Sequence, residues 1–378
     1  MKVLFAVTHL LGTGHLARTL TLARACAQAG HAATVLSGGM PAAHLDQSGV
    51  TLIDLPPLGA DGVDFSRLLD ADGAAASDDY LAARQRAVKA GLDQTAPDIL
   101  ITELFPFGRR SLRAEFTALL QAAQQQVPRP LVLSSIRDIL APPSKPRKAA
   151  FAADMIAQFY DGVLVHGDPA ITPLDLSWPV DAPLRAKLHY TGVVAPPPAG
   201  PHPEALGSGE ILVSAGGGDV GQTLFATAVE AAKADPNRIW RLLVGGTQAE
   251  ARVAALRQGA GDSVIVEPAR PDFRQMLAHA AASVSMCGYN TAQDILQSGC
   301  AAVFVPFDAG GEVEQTLRAE ALSKLDQIEV LRTADLSARA LLGSLTAVQS
   351  SPPRSPVGHQ DGARETVRLI EQMARKRA

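Results

Sequence analysis

Two glycines and a histidine follow the first apolar run of the sequence, in the stretch THLLGTGHLARTL (residues 8–20). The run KVLFAV before it is typical of a buried strand, and HLARTLTLARACAQAG contains apolar residues at helical spacing. Gly12 and Gly14 therefore predict a sharp turn from strand to helix, with Thr13 as the cap. His15 would lie at the helix N-terminus, where backbone N–H groups point outwards. Two interpretations of His15 stay open: a side chain that takes part in chemistry, or one that only completes the turn.

This first turn does not fit a dinucleotide-binding site. Such a fingerprint needs a third glycine at position 17 and an acidic residue at the end of the second strand, about 20 residues further on. Position 17 is Ala17, and the second strand ends in VLSGG without an acid. NAD is therefore not favoured as a ligand of the first half of the chain.

A second glycine-rich turn, SAGGGDVG (214–221), follows an apolar run and precedes another helical pattern. Gly216, Gly217 and Gly218 would let backbone amides approach a diphosphate closely. The next strand, IWRLLVGGTQ, again ends without an acid. The loop therefore suits a phosphate without specifying NAD, and a merely tight turn is the alternative.

A third set of polar residues lies around MCGYNTAQDILQSG (286–299), where a small loop precedes a helix. Gly288, Asn290 and Thr291 fall at the predicted helix start, where N-terminal amides and a threonine hydroxyl can bind an anion. Asp294, one turn further along, has a carboxylate that can accept hydrogen bonds from the two hydroxyls of a ribose.

The loop DAGGEVEQ follows the next apolar run, AAVFVPF. It brings Asp308, Glu312, Glu314 and Gln315 to the carboxyl end of a strand, and such groups suit a polyhydroxylated ligand. A solvated loop with acidic residues at a helix start is the alternative.

These residues are distributed over two halves with the same alternation of strands and helices. Apolar runs followed by longer helical patterns are typical of βαβ units and of a parallel sheet covered on both faces. We predict a first Rossmann-like domain at 1–195, a Pro/Gly-rich linker at 196–208 and a second Rossmann-like domain at 209–355. A last helix within 356–378 is expected to pack back on the first domain.

Composition narrows the class of protein. A hydrophobic content of 47% and a charged content of 19% favour folded domains. The net charge of −4 argues against a nucleic-acid-binding protein. Three cysteines without metal-ligand spacing fit a cytoplasmic protein. No apolar run has the roughly 20 residues of a membrane span, so membrane contact would be peripheral, at the inner face.

The sequence resembles the MurG-like GT-B glycosyltransferases, above all a bacterial branch of predicted glycosyltransferases. The blocks that carry the likeness are GTGHLARTLTLA, TELFPFGRR, SIRDIL, DGVLVHGDP and CGYNTAQDILQSGCAAVFVPF with EQTLRAEAL, and they span residues 1 to about 325. The resemblance implies an α/β fold of GT-B architecture, in which two doubly wound Rossmann-like domains face each other across a cleft. It specifies the fold better than the substrate, because related sequences include a UDP-sugar hydrolase.

The resemblance also implies roles for individual donor-side residues. Gly216 to Gly218 match the loop facing the donor diphosphate, and the phosphate-side helix start matches Gly288, Asn290 and Thr291. Asp294 stands where the relatives carry a ribose-binding glutamate, on a shorter side chain. Glu314 and Gln315 match the pair that contacts the hydroxyls of the donor sugar.

On the acceptor side, His15 matches the histidine that serves as general base or acceptor-site residue. Glu103, at the end of DILITE, would orient its imidazole, or would simply cap a turn. Gly12, Gly14, Arg109 and Arg137 are the remaining acceptor-side candidates. Arg109, Arg110 and the basic loop 144–148 are either a solvated surface or a site for an anionic acceptor or lipid headgroup.

The implied reaction is transfer of a sugar from a nucleoside-diphosphate sugar, UDP being favoured, to a hydroxylated acceptor. Inversion at the anomeric carbon is expected, with no metal and no cofactor beyond the nucleotide sugar. A nucleotide-sugar hydrolase, a 2-epimerase and a non-catalytic nucleotide-sugar-binding protein stay open as alternatives. No nucleic-acid partner is expected, and the acceptor and the oligomeric state are not predicted.

Overall fold

A computed structural model describes residues 1–10, 12–61, 64–356 and 361–377. It divides the chain into a first domain of residues 1–196 with 360–378 and a second domain of residues 197–359. Each has its own sheet and its own apolar core.

The first domain is built on a sheet whose strands are parallel except for one at its edge. In chain order the strands are β1 (Lys2–Val7), β2 (Ala32–Gly39), β3 (Thr51–Asp61), β4 (Asp64–Leu69), β5 (Ile99–Glu103), β6 (Leu131–Arg137), β7 (Gly162–His166) and β8 (Leu188–Tyr190). Their order across the sheet is β4-β3-β2-β1-β5-β6-β7-β8. The strand order reverses between β1 and β5, because the chain builds outwards from β1 and then returns to its other side.

Helices cover both faces of this sheet. The first five are α1 (Gly14–Gln28), α2 (Asp78–Thr95), α3 (Arg113–Gln125), α4 (Pro146–Phe159) and the short α5 (Ala182–Arg185). Successive β1 side chains alternate between two cores: Leu4 and Ala6 belong to one cluster, and Val3, Phe5 and Val7 to the other. Both faces of β1 are therefore buried, as its continuous apolar run predicts.

The stretch Pro57–Tyr80 lacks strong periodicity and is rich in Gly, Ala and Asp, which predicts a long loop that would help to hold an acceptor. This prediction is wrong. Among the described residues of this stretch, β3 continues to Asp61, β4 pairs antiparallel with β3, and α2 begins at Asp78. Pro56 and Pro57 cannot donate ladder hydrogen bonds. They lie where the β2–β3 register shifts, between the pairs Ser37–Asp54 and Gly39–Leu58, so the ladder tolerates them.

The second domain has a parallel sheet of the same design. Its strands are β9 (Ile211–Ser214), β10 (Trp240–Val244), β11 (Val264–Pro268), β12 (Ala282–Ser285), β13 (Ala302–Phe304) and β14 (Ile328–Val330). The order is β11-β10-β9-β12-β13-β14, so the reversal of strand order falls between β9 and β12. The helices are α6 (Gln222–Lys233), α7 (Ala249–Arg257), α8 (Phe273–Met276), α9 (Tyr289–Ser298), α10 (Glu314–Leu322) and α11 (Ala338–Ser350).

The segment predicted to be a linker is packed onto the second domain from residue 197 onwards. The His202 side chain is buried and its Nε2 lies 3.1 Å from a carboxylate oxygen of Asp272. A side chain at Gly207 would collide with the backbone of Met276. The Pro/Gly composition thus reflects close packing of an irregular segment rather than a free connection.

The last helix, α12 (Gly362–Arg377), is grouped with the first domain and packs against α1. Gly362 donates its N–H to the carbonyl oxygen of Val193 at 3.0 Å, and His31 Nε2 lies 2.9 Å from Glu371. Residues 357–360, within the predicted segment 356–378, lie outside the described residues. No helix in the described part of the chain has the length and apolarity that crossing a membrane requires.

Candidate active site

The first candidate site lies at the point where the strand order of the first domain reverses. In open α/β sheets, ligands bind outside the carboxyl ends of the strands at such a point. His15 follows β1 in the first turn of α1, and Glu103 is the last residue of the neighbouring β5. The fold therefore brings together two residues that are 88 positions apart in the sequence.

His15 and Glu103 form a hydrogen bond of 2.8 Å between Nδ1 and Oε1. Arg18, one turn further along α1, also donates to Glu103 Oε1. Burial alone would raise the pKa of Glu103, but Arg18, His15 and Ser135 together lower it to about 2. Because an ionised carboxylate only accepts, the 2.8 Å contact requires the proton of a neutral His15 on Nδ1. Arg18 Nη2, at 3.3 Å from Nδ1, is then a neighbour of that nitrogen and not a donor to it. The Nε2 of His15 is then a hydrogen-bond acceptor.

His15 is neutral at physiological pH. Burial lowers its pKa to about 3, although the Glu103 carboxylate opposes this shift and the nearby Arg109 and Arg18 add to it. The side chain keeps 15% of its surface exposed, so the ring is not sealed from solvent. A neutral, partly exposed imidazole with a free Nε2 can accept a proton from a hydroxyl group.

The expectation that Thr13 caps α1 is only half met. Thr13 occupies the N-cap position, but its side chain makes no capping hydrogen bond. Gly12 has a positive φ of 63° and is exposed, as is Gly14. A side chain added at either glycine would meet no other atom within 4 Å, so both border open space beside His15.

The two acceptor-side arginines lie on neighbouring segments. Arg109 has a left-handed backbone conformation, with φ of 56°, just before the short turn that leads to α3. Burial lowers its pKa to about 10; Glu103 opposes the shift and Arg137 and Arg18 reinforce it, so the guanidinium stays charged. Arg137 is the last residue of β6 and is half-buried. Arg109 is therefore electrostatically coupled to the His15–Glu103 pair.

Three residues of this site were missed from the sequence: Arg18, Ser135 and His166. Ser135 Oγ donates to Glu103 Oε2 at 2.7 Å and lies 3.0 Å from His166 Nε2. Ser135 and His166 stand near or at the carboxyl ends of β6 and β7. Their signal was present in the blocks SIRDIL and DGVLVHGDP, since polar residues ending neighbouring parallel strands meet at one edge of the sheet.

The second candidate site occupies the corresponding position in the second domain, after β9 and β12. The loop of Gly216, Gly217 and Gly218 follows β9, and Gly216 has a positive φ of 78°. A side chain at Gly216 or Gly217 would meet no atom within 4 Å outside its own neighbours. Asp219, which follows this loop, accepts a hydrogen bond of 2.9 Å from Thr247 Oγ1, which fixes the loop to the turn after β10.

The start of α9 lies after the adjacent strand β12. Gly288 is its N-cap residue, Asn290 and Thr291 are in its first turn, and Asn290 is exposed. Backbone N–H groups of the first turn have no partner within the helix and favour an anion. The predicted phosphate-binding residues thus follow two neighbouring strands, since β9 and β12 pair directly and Met286 N bonds to Ser214 O at 3.1 Å.

Asp294 lies in the second turn of α9, but its carboxylate is already engaged. Arg274 Nε donates to Asp294 Oδ1 at 2.8 Å, and Arg274 Nη2 donates to Gln297 Oε1 at the same distance. Burial raises the pKa of Asp294 to about 6, while Arg274 opposes the shift. A ribose would therefore have to share this carboxylate with Arg274.

Glu314 and Gln315 begin α10, after β13, which neighbours β12. Glu314 is buried, and its backbone N–H donates to Glu312 Oε1 at 2.5 Å. Gln315 Oε1 accepts the N–H of Phe307 at 3.1 Å. This bond orients the amide group of Gln315 so that its NH₂ is the end available to a ligand. Asp308 is exposed in the same loop.

Two Rossmann-like domains, each with polar groups at the reversal of its strand order, define the GT-B class of fold. Comparison with known proteins agrees with this class. Residues 212–373 match the model of the glycosyltransferase family 28 C-terminal domain. The chain is also similar to the MurG crystal structure from Acinetobacter baumannii, with a TM-score of 0.63 and 16% identity over 98% of this chain and 99% of that one. For the glycotransferase of kitacinnamycin the TM-score is 0.68, with 18% identity over 99% and 98% of the two chains.

A curated relative from Brucella anthropi is 31% identical over 172 residues, which are 42% of this chain and 46% of the relative. It is named UDP-N-acetylglucosamine--N-acetylmuramyl-(pentapeptide) pyrophosphoryl-undecaprenol N-acetylglucosamine transferase. The chain thus spans about half the length of the curated relatives it matches. The resemblance noted in the sequence agrees with these findings: the chain has the GT-B fold, is similar to MurG proteins, and matches the family 28 C-terminal model over residues 212–373.

Proposed function

We propose that the protein is a glycosyltransferase that moves a sugar from a nucleoside-diphosphate sugar to an acceptor hydroxyl. The observation that carries this proposal is the 2.8 Å hydrogen bond between His15 and Glu103 at the reversal point of the first sheet. It leaves His15 Nε2 as a base. The match of the second domain to the family 28 C-terminal model supports a nucleotide-sugar donor.

In this proposal the donor is held by the second domain. The loop Gly216 to Gly218 and the first turn of α9 receive the diphosphate, which gains negative charge as the sugar departs. Backbone amides and the positive end of α9 stabilise that charge. No metal is then needed for leaving-group departure. Gln315 binds hydroxyls of the sugar through its NH₂.

The acceptor hydroxyl is activated by the first domain. Its oxygen attacks the anomeric carbon, its proton passes to His15 Nε2, and the bond from the anomeric carbon to the diphosphate oxygen breaks. One displacement of this kind inverts the anomeric configuration. UDP is the preferred nucleotide because the donor named for the Brucella anthropi relative is UDP-N-acetylglucosamine. Where the acceptor lies at the inner face of a membrane, the proposed mode of access is peripheral contact.

Binding of a nucleoside diphosphate alone tests the donor site. Since ligand binding stabilises the native state by RT ln(1 + [L]/Kd), UDP at about 100 times its Kd should add roughly 2.7 kcal/mol. We expect Gln315→Ala and Asp294→Ala to weaken UDP-sugar binding by up to about tenfold each, as loss of one hydrogen bond does. Thermal unfolding and titration calorimetry measure both effects.

Gln258→Ala is the matched control, because Gln258 is exposed at the end of α7 in the same domain. It should leave both quantities unchanged. If no nucleoside diphosphate raises the melting temperature at millimolar concentration, the proposed donor site is wrong.

A further inference from the structure

A line of buried polar side chains continues from Glu103 across the neighbouring strands of the first sheet. Ser135 is the register partner of Glu103 on β6. His166 ends β7 and is fully buried, and Thr191 directly follows β8 and is also fully buried. His166 Nδ1 lies 2.8 Å from Thr191 Oγ1, and its Nε2 lies 3.0 Å from Ser135 Oγ.

The ionised Glu103 fixes the direction of the hydrogen bonds that Ser135 makes. Glu103 only accepts, so Ser135 must donate its hydroxyl proton to Glu103 Oε2. Ser135 Oγ can then only accept from His166, whose Nε2 must carry a proton. Burial lowers the pKa of His166 to about 3, with Arg18 adding to the shift, so this ring is neutral. Its unprotonated Nδ1 shares the Thr191 hydroxyl proton with Gly192 O, which lies 3.0 Å from Thr191 Oγ1.

The two oxygens of Glu103 thus have different partners. Oε1 faces His15 and Arg18, and Oε2 receives the hydroxyl of Ser135. Arg18 already supplies the positive charge that a buried carboxylate needs. The hydroxyl adds orientation: a carboxylate bound at both oxygens cannot rotate about its last bond, so Oε1 stays directed at His15 Nδ1.

We propose that Ser135 and His166 are positioning residues, which hold Glu103 so that His15 keeps its proton on Nδ1 and presents Nε2 to the acceptor. This inference rests on the proposed role of His15 as the base. Ser135 acts on the reaction through Glu103, and His166 acts through Ser135. The charged groups that face His15 are Glu103, Arg18 and Arg109, and replacing Ser135 removes none of these charges.

The test compares Ser135→Ala with Ser134→Ala in the full-length protein. Ser134 is the neighbouring residue on β6, is equally buried, and donates to Phe105 O at 2.8 Å rather than to Glu103. Both variants therefore lose one buried hydroxyl, but only Ser135→Ala frees Glu103 Oε2. Long-range ¹H–¹⁵N correlation spectra of protein labelled with ¹⁵N-histidine report the tautomer of each ring, and the spectrum of His15→Gln identifies the signals of His15.

We expect the wild type, Ser134→Ala and the hydroxyl-retaining Ser135→Thr to show His15 with its proton on Nδ1, and Ser135→Ala to show both tautomers. For Ser135→Ala, kcat for nucleotide release should fall about 10- to 100-fold at unchanged donor KM, the range found when hydrogen-bond partners of metal-binding histidines are removed. An unchanged tautomer, or an unchanged kcat with a changed tautomer, would overturn the positioning role. If the wild type releases no nucleotide from any nucleotide sugar, the proposed function has failed, and the spectra still decide whether Ser135 orients the pair.

Discussion

Replacing His15 by alanine is expected to lower kcat by about 10²- to 10⁴-fold without weakening the binding of UDP. The loss is that of a general base, and the binding groups for the nucleotide lie on the other domain. Steady-state nucleotide release gives kcat, and calorimetry gives the Kd of UDP. Turnover at the wild-type rate in His15→Ala would remove this residue from the chemistry and leave it a structural role in the turn.

Two further measurements sharpen this expectation. His44→Ala is the control, because His44 is an exposed histidine of the same domain, and it should retain full activity. Glu103→Gln should lose activity to a similar degree as His15→Ala, because an amide no longer enforces the proton on Nδ1; the corresponding change in a Ser-His-Asp triad costs about 10⁴-fold.

The pH profile follows from the same pair. A base is active when unprotonated, and burial holds the pKa of His15 at about 3. Between pH 8 and pH 6 the ring therefore stays neutral. The pH profile of kcat/KM should show no fall caused by His15 near the ordinary histidine pKa of about 6.5. A fall at that pH which disappears in His15→Ala would contradict the burial of the ring.

The second large effect is expected on stability, for Glu115→Ala. Arg84 is fully buried, and its Nε and Nη2 bond to the two Glu115 oxygens at 2.9 and 3.0 Å. It also donates to Gly38 O at 3.0 Å and to Thr8 Oγ1 at 3.2 Å, so it joins α2 and α3 to the ends of β1 and β2. Removing the carboxylate leaves a buried guanidinium without its counter-charge, which costs about 3–5 kcal/mol.

Urea unfolding measures this effect. The chain has two tryptophans, Trp178 in the first domain and Trp240 in the second. In a Trp240→Phe background, fluorescence reports the first domain alone. Asp175→Ala, which breaks an exposed pair with Arg185 in the same domain, should change the free energy of unfolding by less than about 1 kcal/mol. A loss of that small size in Glu115→Ala would show that the Arg84 charge is compensated by its other partners.

The elements next to the candidate sites could be predicted because local sequence specifies them. The run KVLFAV forms β1, and the helix start at Gly288 carries Asn290 and Thr291 in its first turn. For Glu103 the sequence left two alternatives, orienting the His15 imidazole or capping a turn, and the 2.8 Å hydrogen bond between the two side chains agrees with the first. The strand and the helix start depend on the spacing of apolar residues and on the position of a glycine, both of which can be read directly from the sequence.

The features that were missed depend on tertiary contacts. The antiparallel pair of β3 and β4 is missed because a stretch rich in Gly, Ala and Asp lacks strong periodicity, although pairing with β2 stabilises a strand there. The long loop that this region was expected to provide had been taken to favour an acceptor, and that argument no longer holds. Arg274 has no sequence signal that links it to Asp294, and only the packing of α8 against α9 brings them together.

The rate at which the protein releases nucleoside diphosphate from a panel of nucleotide sugars tests the proposed sugar transfer most directly. Each sugar is supplied with and without candidate hydroxylated acceptors, to the wild type and to His15→Ala. We predict slow release of the nucleotide without acceptor and at least tenfold faster release with the right acceptor, which corresponds to about 1.4 kcal/mol in the activation barrier. His15→Ala should lose this acceleration. Release on the order of 10 s⁻¹ without acceptor, with free sugar as the sole product, would contradict transfer and identify a hydrolase.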